Sequence, residues 1–549
     1  MKKNHKAVIL LLFVSGAVFS NSLRNEFVYD DEFIIQENNA IRNWDNAKNL
    51  FSGKYYALSR ERSYWPVVTL SYFLNYSLGK SDTFIYHATN ILFHALNAVL
   101  IYLLLMLMLG DGSVSLLAAL LFAVHPVHTE SVTYICGRTD VMAAFFMLLS
   151  MYCYLKADKK RALYAVSLVS YGLGLFSKEM IITLPPVLIL YDYCFLLPRK
   201  GRWKEKLPFY AGYFALSGLY MLGRYTVYYR SAEYARYPGG SIYTAMLTMS
   251  KVFVHYMRLL LYPVKLCLDY MSVASSGVDA GVIFSALVII AVFFLAVKSF
   301  RREKTISFSI CFYLVTLAPV SNIILPVGVT MAERYLHIPS VGFCVLMAWL
   351  SRRYLKAAGT FLMVLVAIFY SALTMARNRD WKDSFSIWQS TLSLVPSNPK
   401  VHNYMGMTYY RKGMLDKAIE SYKSSLACDA DNAFTHNNLG VAYINRGELD
   451  KAIIEFREAV RLDPTHISAH NNLAGACFNA GLYDESVREY GKALDLNPYF
   501  IDAYGNLGLV YAAMGMYDEA MAVYEKALAV NPALPEISER LRKLRSLPR

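Results

Sequence analysis

Charged residues are scarce in this sequence. They make up 17% of its 549 residues, whereas 56% are hydrophobic, and the mean hydropathy is positive. A chain with so little charge and so many apolar residues is neither disordered nor an ordinary soluble protein. Its length also exceeds that of one ordinary domain, so we expect at least two folded units.

Acidic residues are fewer than basic ones, which gives a formal net charge of +14. Such an excess can indicate nucleic-acid binding, but here Lys and Arg lie in short clusters between apolar runs, at residues 2–6, 156–161, 199–206, 301–304 and 352–356. Short basic clusters are typical of the cytoplasmic loops of membrane proteins. We therefore predict contact with a lipid bilayer and no nucleic-acid partner.

Cysteine pairs with metal-binding spacing are absent. The eight cysteines include no CxxC pair, and several lie inside apolar runs, such as Cys153, Cys311 and Cys344. A cysteine in such a run is most simply a packing residue. The sequence therefore gives no reason to expect a disulfide or a cysteine-bound metal.

Eleven apolar runs are long enough to cross a membrane. They begin near residues 7, 84, 113, 140, 162, 180, 207, 280, 305, 338 and 357. A further apolar stretch, 243–262, is interpreted as interfacial or re-entrant, because a span there would place the basic cluster at 301–304 outside the cytoplasm. With a cytoplasmic N-terminus, eleven spans place the C-terminal part of the chain outside. The first run also resembles a signal peptide, so its cleavage stays open.

Charged and polar residues collect in the loops that this topology places on the outer face of the membrane. Charge at or near membrane depth usually marks a site. The outer loops contain Asp30, Asp31, His125, His128, Glu130, Arg138, Asp140, Lys178, Glu179, Arg224, Glu333 and Arg334.

The second span has a polar stripe at helical spacing, formed by His87, Asn90, His94 and Asn97. In lipid such a stripe faces the helix bundle or a wet cavity. Hydrogen bonds between helices and contact with a ligand both remain compatible with it.

A period of 34 residues begins near residue 399. Small residues recur at Gly406, Gly440, Ala474 and Gly508, and glycines recur at 413, 447, 481 and 515. This is the tetratricopeptide pattern, with repeats at 399–432, 433–466, 467–500 and 501–534, and a tail to residue 549. We expect a membrane domain at 1–378 and a capping helix within 379–398.

One asparagine recurs in each of the last three repeats, on the inner helix of the array. A ladder of amides on the concave surface is suited to hydrogen-bond an extended acceptor polypeptide without reading its side chains. The alternative is that asparagine is only a common consensus residue at this position. The ladder consists of Asn438, Asn472 and Asn506.

Several motifs together resemble the transmembrane and tetratricopeptide-repeat O-mannosyltransferases. They are Asp30-Asp31, His125-Pro-Val-His-Thr-Glu130 followed by Gly137-Arg-Thr-Asp140, Ser177-Lys-Glu179, Leu266-Cys-Leu-Asp-Tyr270 and Ala332-Glu-Arg-Tyr335. The resemblance implies an all-α fold, in which a GT-C-type bundle of about eleven spans precedes a tetratricopeptide-repeat α-solenoid. It further implies transfer of mannose from a polyprenyl-phosphate donor to Ser or Thr hydroxyls of proteins. A short, bacterial-like member would lie in the inner membrane with periplasmic repeats, which is equivalent to lumenal repeats in the endoplasmic reticulum.

Inverting transfer from a lipid-linked sugar needs a carboxylate for the acceptor's proton and cations for the departing phosphate. The candidate base is Asp30 or its neighbour Asp31. The candidates for the donor phosphate are His125, Arg138, Lys178 and Arg334. The supporting residues are His128, Glu130, Asp140, Glu179 and Glu333.

A metal is not assigned from the sequence. His128 and Glu130 either orient one another or bind an ion, but two such residues do not make a metal site. Dependence on a divalent metal therefore stays open, and the only small-molecule partner predicted is the lipid-linked sugar donor.

Two other functions remain compatible with the sequence. The same fold acting on a lipid or polysaccharide would leave the asparagine ladder without a role. A non-catalytic membrane scaffold, whose repeats recruit periplasmic partners, would leave the charged outer loops unexplained.

Overall fold

A computed structural model describes residues 2–59, 61, 64–157, 160–196, 203–228, 237–270, 274–531 and 534–546. Over these residues the fold is all-α, as predicted, and no β-strand occurs among them. The chain divides into two compact units, residues 1–390 and 391–549. Parts of the predicted basic clusters at 156–161 and 199–206 lie outside the described residues.

The first unit is built from helices joined by loops and 3-10 turns. They are α1 (Lys2–Phe19), α2 (Gly53–Ser59), α3 (Pro66–Gly79), α4 (Thr83–Leu109), α5 (Gly112–Val124), α6 (Thr129–Val132), α7 (Arg138–Ala157), α8 (Arg161–Leu175), α9 (Leu184–Tyr191), α10 (Trp203–Tyr228), α11 (Ile242–Leu261), α12 (Ala280–Ser299), α13 (Lys304–Leu317) and α14 (Ser340–Asp380). The next helix, α15 (Ser384–Leu394), contains the boundary between the units.

Six helical segments in the described part of the chain are long and apolar enough to cross a membrane. They are Asn4–Ser22, Thr83–Leu109, Ile135–Ala157, Glu179–Leu196, Ala280–Ser299 and Ser340–Asp380. A seventh is added if α5 and the segment Pro126–Val132, which are bent by 52° at a short break, are taken as one span. The protein is thus a multi-pass membrane protein.

The predicted number of eleven spans is larger for identifiable reasons. It includes α8 and α13, which have 15 and 14 residues and are shorter than the roughly 20 residues that cross a bilayer upright. It also includes α10, and it divides α14 in two. Within α14 the backbone is non-helical at Lys356, where φ is 49°. The number eleven stays a prediction.

Helix α11 corresponds to the stretch predicted to be interfacial or re-entrant. One face of it is buried, with Met249, Val252 and Tyr256 in a cluster that includes Tyr335 and Leu336. The other face exposes apolar side chains such as Ile242 and Met246. This packing brings the end of α11 beside the 3-10 turn Glu333–Leu336, which carries predicted site residues.

The second unit consists of helix pairs with a constant spacing. The helices are α16 (Pro399–Arg411), α17 (Leu415–Cys428), α18 (Ala433–Asn445), α19 (Leu449–Leu462), α20 (Ile467–Asn479), α21 (Tyr483–Leu496), α22 (Ile501–Ala513), α23 (Tyr517–Val530) and α24 (Pro535–Arg545). Small residues are needed where paired helices touch, because a Cβ on Gly440 would lie 2.6 Å from the ring of Phe456. The turn glycines at 413, 447, 481 and 515 all have φ between 72° and 80°, which favours glycine over other residues.

Candidate functional site

The two neighbouring aspartates of the first loop have different surroundings. Asp31 is fully buried, and its two oxygens accept backbone N–H groups from Val28 at 3.3 Å and Cys136 at 2.8 Å. Asp30 is half-buried, and its Oδ2 accepts the hydroxyl of Tyr134 at 3.0 Å. Asp31 therefore fastens the first loop to segment 134–136, while Asp30 keeps partial access to solvent.

Burial also changes the acidity of the Asp31 carboxyl. It raises the pKa of Asp31 to about 7, and the negative charge of Asp30 raises it further. Repulsion between neighbours is thus the smaller cause of the shift, and desolvation is the larger one. A carboxyl with such a pKa holds a proton over part of the neutral range.

Aromatic side chains surround this loop. Tyr134 stacks on Trp381 with ring centroids 5.4 Å apart, and Tyr29 packs edge-on against Trp388 at 5.4 Å. Tyr29 itself has φ of 55°, an uncommon conformation for a residue with a side chain. Trp381 and Trp388, which follow α14, therefore line the region around Asp30.

Glu130 of the HPVHTE motif is ion-paired across a long sequence distance. Its Oε1 lies 2.5 Å from Nη1 of Arg334, and its Oε2 accepts the backbone N–H of the same residue at 2.9 Å. The side chain of Glu130 is 0% exposed and that of Arg334 is 22% exposed. Arg334 thus balances a buried charge and still reaches the solvent-accessible side. It also interacts electrostatically with Tyr134, which links it to the surroundings of Asp30.

A second buried ion pair lies beside the first. Lys178 Nζ is 2.6 Å from Asp140 Oδ1, and both side chains are buried. Lys178 Nζ and the guanidinium of Arg334 each lie 5.6 Å from the centroid of the Tyr335 ring. Two cations therefore share one aromatic ring, and each has its own carboxylate.

The contacts of Glu333 give a structural role to the Leu266–Tyr270 motif. Its Oε1 accepts the backbone N–H of Cys267 at 2.6 Å and the hydroxyl of Tyr270 at 2.7 Å, so the Leu266–Tyr270 motif binds the 333–336 turn. Burial raises the pKa of Glu333 to about 7, an effect that the charge of Arg377 partly opposes. The remaining supporting residue, Glu179, is paired with Arg224 at 3.0 Å.

Arg138 and His125 are interior residues whose donors have protein partners. Arg138 is 0% exposed and donates to Asn90 Oδ1 at 2.7 Å, Ser71 Oγ at 3.0 Å and the carbonyl of Tyr86 at 2.9 Å. His125 is also fully buried, and its Nε2 donates to the carbonyl of Leu260 at 3.0 Å. Of the four residues predicted for the donor phosphate, the structure groups Lys178 and Arg334 together and holds these two within the bundle.

The polar stripe of the second span holds segments together. Asn90 Nδ2 lies 3.2 Å from the carbonyl oxygens of Val132, Tyr134 and Ile135, and Asn97 donates to the carbonyl of Val141 at 2.9 Å. These contacts favour the interpretation of the stripe as a set of hydrogen bonds between helices.

His128 and Glu130 have different partners. Glu130 contacts Arg334, whereas the ring of His128 lies among other histidines. One ring nitrogen from each of His94, His128 and His337 lies within 4.8 Å of the other two, and all three residues are fully buried. The sequence analysis singled out His94 and His128 separately, but no spacing connects the three residues, because they are far apart in the chain.

The predicted asparagine ladder is partly exposed in the repeat unit. Asn438 donates to Asn403 Oδ1 at 3.0 Å, and Asn472 donates to Asn437 Oδ1 at 2.9 Å. Asn506 is hydrogen-bonded to the buried Tyr490. An amide has two N–H groups, so each contact between asparagines occupies one of the two.

Comparison with known families matches the two parts of the chain to different models. Residues 7–226 match the family described as dolichyl-phosphate-mannose-protein mannosyltransferase. Tetratricopeptide-repeat models match residues 406–445, 433–466, 475–515 and 501–534.

Curated relatives match over about three quarters of this chain. A protein O-mannosyl-transferase of Caenorhabditis elegans is 27% identical over 434 residues, which cover 76% of this chain and 61% of the relative. The protein O-mannosyl-transferase TMTC3 of Mus musculus is 28% identical over 469 residues, which cover 76% and 50%. The chain therefore spans between half and two thirds of the length of these relatives.

A solved structure is similar to a part of the chain. The crystal structure of MamA is 28% identical, covers 32% of this chain and 91% of its own, and has a TM-score of 0.26. The family models and the relatives confirm the resemblance that the motifs indicated, to a family of glycosyltransferases.

Proposed function

We propose that this chain, which resembles the transmembrane and tetratricopeptide-repeat O-mannosyltransferases, transfers mannose from a polyprenyl-phosphate donor to Ser or Thr hydroxyls of proteins. The observation that carries the proposal is the grouping of the Glu130–Arg334 and Lys178–Asp140 pairs beside the loop of Asp30. These residues come from four separate loops. A GT-C-type enzyme needs such a group of carboxylates and cations where a lipid-linked sugar meets its acceptor.

Asp30 is the proposed base. The acceptor oxygen attacks C1 of the sugar, its proton passes to the Asp30 carboxylate, and the C1–O bond to the phosphate breaks with its electrons on the phosphate. Asp30 is half-buried and keeps its orientation through Tyr134. Asp31, which accepts two backbone N–H groups, positions the loop that carries the base.

Arg334 and Lys178 are the proposed contacts of the donor phosphate. A guanidinium has five N–H donors and an ammonium has three, so each residue can contact a phosphate oxygen while it stays paired with its carboxylate. Charge-assisted contacts of this kind stabilise the leaving phosphate in the transition state. Arg138 and His125 are assigned to the support of the bundle, because both are 0% exposed and are hydrogen-bonded to neighbouring segments.

The repeat unit is the proposed binding surface for the acceptor polypeptide. The asparagine ladder lies at half-exposed positions, and an amide that shares one N–H with its neighbour is held in a fixed orientation. A row of oriented amides suits an extended peptide backbone. We further propose that the repeats lie outside the cytoplasm, in the periplasm of a bacterial inner membrane, because basic clusters mark the opposite loops.

The decisive experiment is transfer by the purified full-length chain in detergent. We expect label from polyprenyl-phosphate mannose to appear on a Ser/Thr-containing polypeptide, and mass spectrometry to locate it on a hydroxyl side chain. A nucleotide-linked mannose without the lipid should give no product. Transfer to a glycolipid or polysaccharide but not to polypeptide would support the second function considered above, and absence of transfer from every lipid-linked sugar would contradict the enzyme.

A further inference from the structure

We infer that His94, His128 and His337 form a binding site for one divalent transition-metal ion of the zinc type, buried behind the proposed active site. They belong to α4, to the 3-10 turn Pro126–His128 and to the residue that follows the turn Glu333–Leu336. Their ring centroids are 4.7 to 5.5 Å apart. Three segments of the first unit therefore meet in a cluster of imidazoles.

The hydrogen bonds of two of the rings determine which nitrogen has a lone pair. His94 Nε2 lies 3.1 Å from the carbonyl oxygen of Ala123 and must donate to it, so Nδ1 carries the lone pair. His128 Nδ1 lies 2.9 Å from the carbonyl oxygen of Phe122, so Nε2 carries the lone pair there. In a metal-binding histidine the other ring nitrogen usually donates its N–H to a carbonyl or carboxylate oxygen, and this hydrogen bond fixes the tautomer.

Several ring nitrogens of this cluster lack a hydrogen-bond partner among the described residues. His94 Nδ1 and both ring nitrogens of His337 are buried and have no hydrogen-bond partner among the described residues. Ser340 Oγ lies 2.9 Å from His128 Nε2 and 2.8 Å from the carbonyl oxygen of His337, and its single proton serves only one of them. Unpartnered buried nitrogens are costly, and a metal ion would satisfy one on each ring.

The ligand set indicates the class of ion. Three imidazoles suit zinc, copper, iron or nickel, whereas magnesium and calcium prefer oxygen. Nitrogens at about 2.0–2.1 Å from a tetrahedral zinc ion lie about 3.4 Å from one another, and in this structure one nitrogen of each ring lies within 4.8 Å of the other two. The fourth position of the ion is left for water. Lys178 lies near His337, and its charge is neutralised by Asp140 at 2.6 Å.

The position of the site gives the ion a structural role. Glu130 follows His128 by two residues, and Arg334 precedes His337 by three. An ion shared by both segments, and by α4, would hold the buried Glu130–Arg334 pair in register. Metal content is measured without the transfer assay, so the metal site is tested independently of the proposed function.

The test uses the full-length chain, purified through a tag without histidine, stripped with a chelator and reloaded with zinc. We expect about one equivalent of zinc per chain. His94→Gln and His337→Gln should lower the zinc content at least tenfold. The control His255→Gln, which changes a histidine of α11 outside the cluster, should retain the zinc. Elution on size exclusion identifies variants that remain folded.

Cobalt loading of the unaltered chain gives a result that no variant's folding can affect. Tetrahedral cobalt with nitrogen ligands absorbs strongly in the visible, whereas ions on surface groups remain octahedral and nearly colourless. Strong bands that one equivalent of zinc abolishes would support the site. Absence of those bands, or unchanged zinc content in folded His337→Gln protein, would overturn it.

Discussion

The ion pair between Glu130 and Arg334 allows support of the fold to be separated from contact with the donor. Arg334→Ala removes the partner of a carboxylate that is 0% exposed and that receives the guanidinium at 2.5 Å. Leaving one charge of a buried pair uncompensated costs about 3–5 kcal/mol. We therefore expect a large loss of thermal stability for Arg334→Ala in detergent.

The double variant Glu130→Gln/Arg334→Ala removes both charges. Glutamine keeps an oxygen that accepts the backbone N–H of Arg334's position, which donates at 2.9 Å in the parent chain. Because no charge is left buried, stability should return to within about 1 kcal/mol of the parent. Contact with the donor phosphate should not return, since a charge-assisted hydrogen bond contributes about 1.5–3 kcal/mol. This corresponds to roughly a tenfold to hundredfold rise in the donor concentration that half-saturates transfer.

The assay combines thermal unfolding with transfer from polyprenyl-phosphate mannose over a range of donor concentrations. If the double variant recovers both stability and the parent's donor dependence, Arg334 does not contact the donor and serves Glu130 alone. If Arg334→Ala unfolds like the parent, Arg334 does not support the fold, since the buried carboxylate of Glu130 would then have another partner.

Four further outcomes follow from the same contacts. Asp30→Asn should lower turnover by a factor of about 10² or more and leave insertion and donor dependence unchanged; parent-like turnover would exclude it as the base. The triple variant Asn438→Ala/Asn472→Ala/Asn506→Ala should keep the helicity of the isolated segment from residue 396 and bind extended peptide more weakly. Unchanged peptide binding would make the ladder a consensus feature. The hydrogen bond that His470 donates to Glu489 at 2.6 Å raises the pKa of His470. The pair therefore stabilises the repeats fully below the unfolded pKa of histidine and loses this effect as pH rises through the folded pKa. His470→Gln should for this reason lower the unfolding temperature more at pH 6 than at pH 8.5. A reporter fused after Arg377 should be active only outside the cytoplasm, and cytoplasmic activity would contradict the proposed topology.

Local sequence patterns were enough to predict the helices and the repeats. Apolar runs predicted segments such as Thr83–Leu109 and Ala280–Ser299, because a bilayer selects for length and hydropathy within one continuous stretch. The 34-residue period predicted the small residues at helix contacts, and Gly440 indeed faces Phe456. These features depend on neighbours in sequence, which a single chain displays directly.

The way in which membrane segments join at polar residues was less predictable. The basic cluster at 352–356 and the His125-Pro126 pair predicted the ends of separate spans, whereas the structure has one non-helical residue, Lys356, within α14 and a 52° bend after α5. Packing against other helices compensates for the lost backbone hydrogen bonds at such breaks. A hydropathy pattern contains no record of that packing, so it predicts where the apolar segments lie and not how they are joined.

The sequence by itself determined which residue types the candidate site contains, since charged side chains in an otherwise apolar chain are costly and stand out. Only the tertiary structure decided their partners. In the structure Glu130 pairs with Arg334, which is 204 positions away, and Arg138 is buried within the bundle. Three histidines that no spacing connects lie close together. The physical reason is that an ion pair or a ligand set depends on distance in space, which is fixed by the packing of helices remote from one another in the chain.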